Sequence, residues 1–298
     1  MHDTSAGLSD DVDPADAVRA NRTWWDREAA GYQAEHAAFL AGRPGGTGPG
    51  STDPASTDAS TDEAASTHPA ALPARLIWCP EGLDEADAGL LGRPEDLAGT
   101  RVLEVGAGAA QGSRWLAEQG ARVVALDLST AMLAMRGPVV PALQADACAL
   151  PLADGCVDHA FSAYGALPFV ADAGAVLREV ARVLRPGGRF VASVTHPFRW
   201  ALPDDPGWDG LRVSLSYFDR RPYVEHAPDG RLDYAEYHRT VGDWVRLVRA
   251  AGLVLDDLVE PEWPERLTDT WGGWSPLRGQ YLPGTAILVT RRPAATVG

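Results

Sequence analysis

From Ile77 onward, short apolar runs alternate with stretches of helical period, which predicts a doubly wound, mostly parallel α/β sheet. Seven runs read as strands: 101–104, 122–126, 143–145, 157–162, 189–195, 254–259 and 286–290. Helical periods fall at 111–119, 131–136, 173–184 and 241–251. An aromatic-rich insertion, 197–237, separates the fifth strand from the later ones. It carries Pro228-Asp229-Gly230, and Asp-Gly between apolar alternations is a hairpin signal.

Ahead of the sheet, residues 14–41 read as a helix that opens at Pro14 and stops at Gly42. Trp25, Tyr32 and Phe39 recur at intervals of seven, so they share one face, and that face needs something to cover. Between about 42 and 75 the chain turns to Gly, Pro, Ser, Thr, Asp and Ala. Such a stretch cannot offset its ordering entropy and is expected to be disordered. The expected organisation is a helical cap (1–41), a linker (42–75) and one α/β domain (76–298).

Composition narrows the chemistry. All 26 positive residues are Arg, none is Lys, and 41 Asp and Glu leave a net charge of −15. Without lysine there is no Schiff-base nucleophile, no P-loop lysine and no kinase strand lysine. An acidic chain also lacks the clustered positive charge that grips a phosphate backbone, so nucleic acid is not an expected partner. Cys79, Cys148 and Cys156 contain no C-x-x-C pair, which suggests neither a disulfide framework nor a metal site, and fits a reducing cytoplasm. No signal peptide and no apolar run of about 18 residues is apparent, so no membrane association is expected. Asn21-Arg22-Thr23 is read as a chance glycosylation match.

The chemistry concentrates after the first strand. It ends in Val105-Gly106-Ala107-Gly108-Ala109-Ala110 and runs into a helix, so the backbone can turn tightly and approach a ligand at free helix N–H groups. Asp127 closes the second strand nineteen residues after Gly108, where a carboxylate can accept both hydroxyls of a ribose. Together these imply a nucleoside at the carboxyl ends of the strands.

Beyond that pair, the blocks Val102-Leu103-Glu104-Val105-Gly106-Ala107-Gly108, Leu126-Asp127-Leu128-Ser129, Gln144-Ala145-Asp146-Ala147 and Arg182-Val183-Leu184-Arg185-Pro186-Gly187-Gly188 follow in order. In these blocks the chain resembles the class I S-adenosylmethionine-dependent methyltransferases, in particular their small-molecule, type 11-like group. The resemblance spans about 101–195 and implies a Rossmann-like sheet, to which the N-terminal helical cap and the β-hairpin insertion read above are added. It implies that Gly106, Ala107 and Gly108 lie against the methionine part of S-adenosylmethionine, with Glu104 reaching its ammonium. Asp127 would hold the ribose, Leu128 would pack on the adenine, and Asp146 with Ala147 would read its amino edge. Ser162 to Tyr164 would face the reacting methyl, and Tyr32 of the cap helix would close over the cofactor. Ala110 stands where the family often has a third glycine; a slightly different loop is expected.

The expected reaction is methyl transfer to an O, N or C atom of a small molecule, which needs mainly alignment because the sulfonium is already activated. A base helps only where the acceptor loses a proton; candidates are His196, His238 and Tyr164. Two other readings remain open at this level. One is a non-catalytic binder of S-adenosylmethionine. The other is a nicotinamide oxidoreductase, which G-x-G-x-x-G would favour, but its third glycine position holds Gln111. No Asn/Asp-Pro-Pro-Tyr/Phe stretch follows the fourth strand, which disfavours the nucleic-acid amine-methylating subgroup. The aromatics of the insertion suit a planar or apolar acceptor.

Overall fold

The computed structural model describes residues 5–40 and 74–294. The linker expected over 42–75, apart from its last two residues, lies outside the described residues, as does the side chain of Phe39.

The elements in order are β1 (Ser5–Leu8), α1 (Pro14–Leu40), α2 (Glu85–Ala88), α3 (Pro94–Leu97), β2 (Arg101–Val105), α4 (Gln111–Glu118), β3 (Arg122–Asp127) and α5 (Thr130–Ala134). There follow β4 (Ala142–Gln144), β5 (Val157–Ala163), α6 (Ala173–Val183), β6 (Leu184–Thr195), β7 (Tyr223–His226), β8 (Leu232–Glu236), α7 (Val241–Ala250), β9 (Val254–Val259), α8 (Pro276–Gly279) and β10 (Thr285–Arg291). All seven expected strands and all four expected helices of the α/β unit form, with ends shifted by a few residues.

Seven strands make one sheet in the order β4-β3-β2-β5-β6-β10-β9. The first five run parallel, and β10 is antiparallel to both its neighbours. The strand order reverses between β2 and β5, which places the topological switch point, and therefore a ligand crevice, at their carboxyl ends.

The alternation of side chains along the strands divides the core in two. On β10, Ala286 and Leu288 join the layer under α6 and α7 with Val176, Leu177, Val180, Trp244 and Val248. Ile287 and Val289 join the opposite layer with Leu76, Trp78, Leu97, Trp115 and Leu116. Both faces are covered, as a parallel sheet requires.

A second sheet, absent from the sequence expectations in this form, has the order β1-β7-β8, all antiparallel. The expected hairpin is its β7-β8 pair, turned at Gly230 with φ +81° while Asp229 Oδ1 accepts the Arg231 N–H at 3.0 Å. The third strand comes from the extreme N-terminus, so the two ends of the cover, distant in sequence, are built together. α1 lies against this sheet and is pinned at three points. Asn21, 2% exposed, donates to the carbonyls of Phe169 (3.0 Å) and Ala235 (2.9 Å) and accepts the Ala235 N–H (2.8 Å). That burial also removes Asn21 from any glycosylating enzyme. Arg27 grips Asp233 with two bonds of 2.9 and 2.8 Å, and Asp26 binds the start of α5.

Among the described residues, no helix is long and apolar enough to cross a membrane, and no group of three or more His, Cys, Asp or Glu could hold a metal ion.

Candidate functional site

A cavity of about 920 Å³ opens at the switch point, between the carboxyl ends of β2 to β6 and the cover formed by α1 and the small sheet. That volume lies at the large end of small-molecule sites, with room for more than one ligand component.

The floor is the loop from β2 to α4. Gly106 takes φ +71°, and a Cβ there would lie 2.3 Å from the amide nitrogen of Ala166, so the β2 and β5 loops touch backbone to backbone. Gly108 is also left-handed (φ +53°), and Ala110 adopts φ +54° fully buried. The family's frequent third glycine is thus replaced by an alanine that carries the strained conformation itself. Gln111, at the third-glycine position of a dinucleotide fingerprint, instead donates its side-chain amide to Gln33 Oε1 of α1 at 2.8 Å.

Three carboxylates stand along one rim, each at the end of a strand. Glu104 of β2 lines the cavity but is only 5% exposed, and accepts the Ser113 N–H at 3.0 Å. Burial pushes its carboxyl up to about 8. Asp127 of β3 accepts the N–H of Gly108 on one oxygen and that of Ser129 on the other, both at 2.8 Å. It therefore caps the following turn and fixes the glycine loop at once, while still lining the cavity. Burial holds its carboxyl above the usual range despite those bonds. Asp146, after β4, uses Oδ1 for the Cys148 N–H at 2.8 Å. Ala107, Leu128, Met132 and Ala147 supply apolar wall beside them, and Tyr32 closes the side nearest α1, its hydroxyl pushed up to about 12 by burial.

Beyond β5 the wall changes character. Tyr164 adopts φ +52°, unusual for a non-glycine residue and characteristic of residues held for a purpose. Its phenol shares a hydrogen bond with Thr285 Oγ1, which donates to Glu81 Oε2 at 2.7 Å. Past it lie Tyr234, one of the insertion's expected aromatics, and Arg199, Asp204, Glu225 and Glu236, none of these four singled out by sequence reasoning for the site. Glu81, Gln33 and Asp26 were likewise missed; each acts through a partner more than seventy residues away, and no local motif marks such a pairing.

Three expected residues stand off the cavity wall. Ser162 is fully buried beneath Gly165, whose Cβ would meet its Oγ at 2.6 Å. His196 is 1% exposed, with Nε2 against Glu260 Oε1 at 2.8 Å and Nδ1 accepting the Phe198 N–H at 3.2 Å. It caps the short 3-10 turn Pro197–Ala201. His238 is buried with Nε2 donating to the Tyr217 carbonyl at 2.8 Å. Burial lowers the basicity of both rings.

The methyltransferase-domain family model matches residues 103–192. The demethylmenaquinone methyltransferase of Beutenbergia cavernae is 42% identical over 106 residues, which are 35% of this chain and 44% of that protein. The enzyme of the same name from Mycolicibacterium vanbaalenii is 47% identical over 92 residues, 30% of this chain and 40% of that protein. The match therefore spans under half the length of these curated relatives. Among solved structures, an S-adenosylmethionine-dependent methyltransferase from Mesorhizobium loti superposes with TM-score 0.54 at 28% identity, over 68% of this chain and all of that one. The 1,6-didemethyltoxoflavin-N1-methyltransferase of Burkholderia thailandensis, solved with that compound and S-adenosylhomocysteine, shares the fold over 98% of this chain and 96% of its own, with TM-score 0.54 and 19% identity. Residues 103–192 therefore form a methyltransferase domain of the class I S-adenosylmethionine-dependent family.

Proposed function

We propose that the whole chain transfers a methyl group from S-adenosylmethionine to a small-molecule acceptor held beneath the cover of α1 and the β1-β7-β8 sheet. The observation that carries this is one continuous cavity with two unlike ends. On the β4-β3-β2 side stand Glu104, Asp127 and Asp146 with apolar wall between them; on the β5-β6 side stand Tyr164 and the side chains of the cover.

The first end fits the cofactor by its donor set. Glu104 is a buried carboxyl with a backbone amide as its hydrogen-bond partner, and in its ionised form it suits an ammonium. Asp127 keeps lone pairs for a ribose diol, Asp146 has a second oxygen for the adenine amino group, and Leu128 and Met132 suit the ring faces. When bound, S-adenosylmethionine supplies an electrophilic methyl on a sulfonium. The chain's own residues then orient the acceptor behind it and exclude water, which is catalysis by proximity.

Where the acceptor must lose a proton, the route we propose starts at Tyr164. Its hydroxyl donates toward Thr285, and Thr285 donates to Glu81, whose carboxyl is held above its usual range by burial. A proton given to the Tyr164 oxygen leaves through Thr285 to Glu81. Neither His196 nor His238 enters this scheme.

Titration calorimetry with S-adenosylhomocysteine tests the cofactor end. The parent is expected to bind, and Asp127→Ala to bind at least about tenfold more weakly for the loss of a charge-assisted pair. Transfer of a labelled methyl group to members of a metabolite panel tests the catalytic half; binding without any product would leave a binder and sink the enzyme.

A further inference from the structure

The β7-β8 hairpin turns a patterned face to the cavity. Glu225 pairs in register with Tyr234, and Tyr223 with Glu236, so acids and phenols alternate diagonally across the two strands. Each phenol donates along its own strand: Tyr223 to Glu225 Oε1 at 3.0 Å and Tyr234 to Glu236 Oε2 at 3.2 Å. Among the described residues, each carboxylate accepts only that one bond, leaving its other oxygen for a ligand. An aromatic wall flanks them, with the Trp24 and Phe169 rings 5.0 and 5.9 Å from that of Tyr234.

The charge balance at this end is one-sided. The cavity lining holds two arginines, and each is already paired with a carboxylate: Arg199 with Asp204 at 2.9 Å, and Arg75 with Asp84. Glu225 and Glu236 face the cavity in addition. Two carboxylates without a guanidinium ion pair among the described residues, in a partly desolvated space walled by aromatic faces, make a poor site for an anion and a good one for a cation.

We infer that the acceptor is an amine-bearing small molecule whose protonated nitrogen docks on the Glu225–Tyr234–Glu236 face, beside the Trp24 ring. This rests on the proposed methyl transfer for the word acceptor; the recognition of the amine stands on the hairpin itself. The carboxylate oxygens left free accept ammonium N–H bonds, and the indole and phenol faces supply cation–π attraction. Burial holds the Glu236 carboxyl above its usual range against the pull of Arg199, so its charged form gains from a further cation. Which atom of the acceptor takes the methyl is a separate matter from which group anchors it.

The test is ligand-observed NMR with matched probes on two scaffolds: tyramine, tyrosol and 4-hydroxyphenylacetate, then tryptamine, tryptophol and indole-3-acetate. Each is titrated into the full chain with and without S-adenosylhomocysteine, whose own affinity is measured first by calorimetry. The amines are expected to bind about tenfold or more tightly than the isosteric alcohols, and the carboxylates more weakly still. Glu225→Gln and Glu236→Gln should each erase most of that preference, with circular dichroism showing both variants folded; Glu225→Gln suffices should Glu236→Gln fail to fold. Amines that bind no better than alcohols, carboxylates that bind best through Arg199, or no binding by any probe would overturn the inference. Failure of S-adenosylhomocysteine to bind while the amines still do would sink the cofactor reading and leave the amine site standing.

Discussion

The Asp26 carboxylate of α1 accepts the Ser129 hydroxyl proton at 2.6 Å and the Ala131 N–H at 3.1 Å, two residues beyond Asp127 on the rim of the cavity. The Ser129 hydroxyl at the same time accepts the Met132 N–H and caps α5. One carboxylate thus ties the cover to the turn that presents Asp127. Burial pushes Asp26 up, but Ser129, the Ala131 amide and Arg22 outweigh it and hold the group below its usual range. Its contribution is therefore present above the unfolded carboxyl value of 3.8 and is lost only as pH falls through the lower folded value. Asp26→Ala is expected to weaken S-adenosylhomocysteine binding about threefold to tenfold, the worth of one such charge-assisted contact. Calorimetry decides it, with Arg19→Ala on the exposed side of α1 as the unchanged control. An unaltered affinity for Asp26→Ala would show that α1 does not cover the cofactor.

The floor of the site makes a harder demand. Gly106 combines a left-handed φ of +71° with a backbone neighbour 2.3 Å from any Cβ, so neither conformation nor space admits a side chain. Gly106→Ala must part the β2 and β5 loops, at a cost of roughly 2–4 kcal/mol from strain and overpacking together. Thermal unfolding should show a midpoint lower by several degrees, and cofactor affinity should fall even where the variant remains folded. Gly108→Ala, whose Cβ would meet only the flexible end of Met132 at 3.4 Å, should cost less. Equal losses in the two variants would refute the role assigned to the loop contact.

The seven strands and the glycine loop were legible because their signals are local: period-two or continuous apolar runs, and small residues at one turn. Asp127 was legible because its spacing from Gly108 is set by one βαβ unit. The β1 strand was not, since Ser5-Ala6-Gly7-Leu8 has no period of its own and becomes a strand only by pairing with β7. The acidic end of the cavity was hidden for the same reason. Glu225 and Glu236 read as ordinary solvent-facing alternation in a hairpin until α1 covers that face. His196 and His238 drew attention as titratable groups near strand and helix ends, but a position near the site end of a strand does not decide which way the ring turns. In both, the imidazole turns into the loop backbone and is consumed there.

That consumption has a measurable consequence at His196. Because Nδ1 accepts the Phe198 N–H, Nε2 carries the proton and donates to Glu260. His196→Ala is expected to cost about 1–3 kcal/mol of stability through the lost cap and buried bonds, while the affinity for S-adenosylhomocysteine stays within about twofold. Burial lowers the folded basicity of the ring below the ordinary 6.5. Between those two values the unfolded chain binds the extra proton, so stability declines as pH falls below 6.5, and the variant should show a shallower decline. Chemical denaturation at several pH values reads both effects. A loss of turnover on a known acceptor, at unchanged stability, would instead make His196 the base.

Glu104 gives the sharpest pH signature. Burial raises its carboxyl to about 8, with the nearby Asp127 adding to the shift and the Ser113 amide opposing it. In the free protein at pH 7 the group is therefore mostly protonated, whereas an ammonium beside it requires the carboxylate. Binding of S-adenosylhomocysteine should then expel close to one proton at pH 7, and affinity should climb about tenfold per pH unit until the folded value near 8 is passed. Calorimetry in buffers of different ionisation enthalpy counts that proton directly. Folding linkage runs the other way. The folded chain holds this proton from the unfolded value of 4.5 up to about 8, so the free protein loses stability as pH rises through that window. Glu104→Gln keeps the shape, cannot ionise and has no such slope. It should be more stable than the parent at pH 8 and bind the cofactor more weakly, with an affinity nearly flat in pH. Proton release at the parent's level by Glu104→Gln would place the titrating group elsewhere on the rim, at Asp127, and take the ammonium away from Glu104.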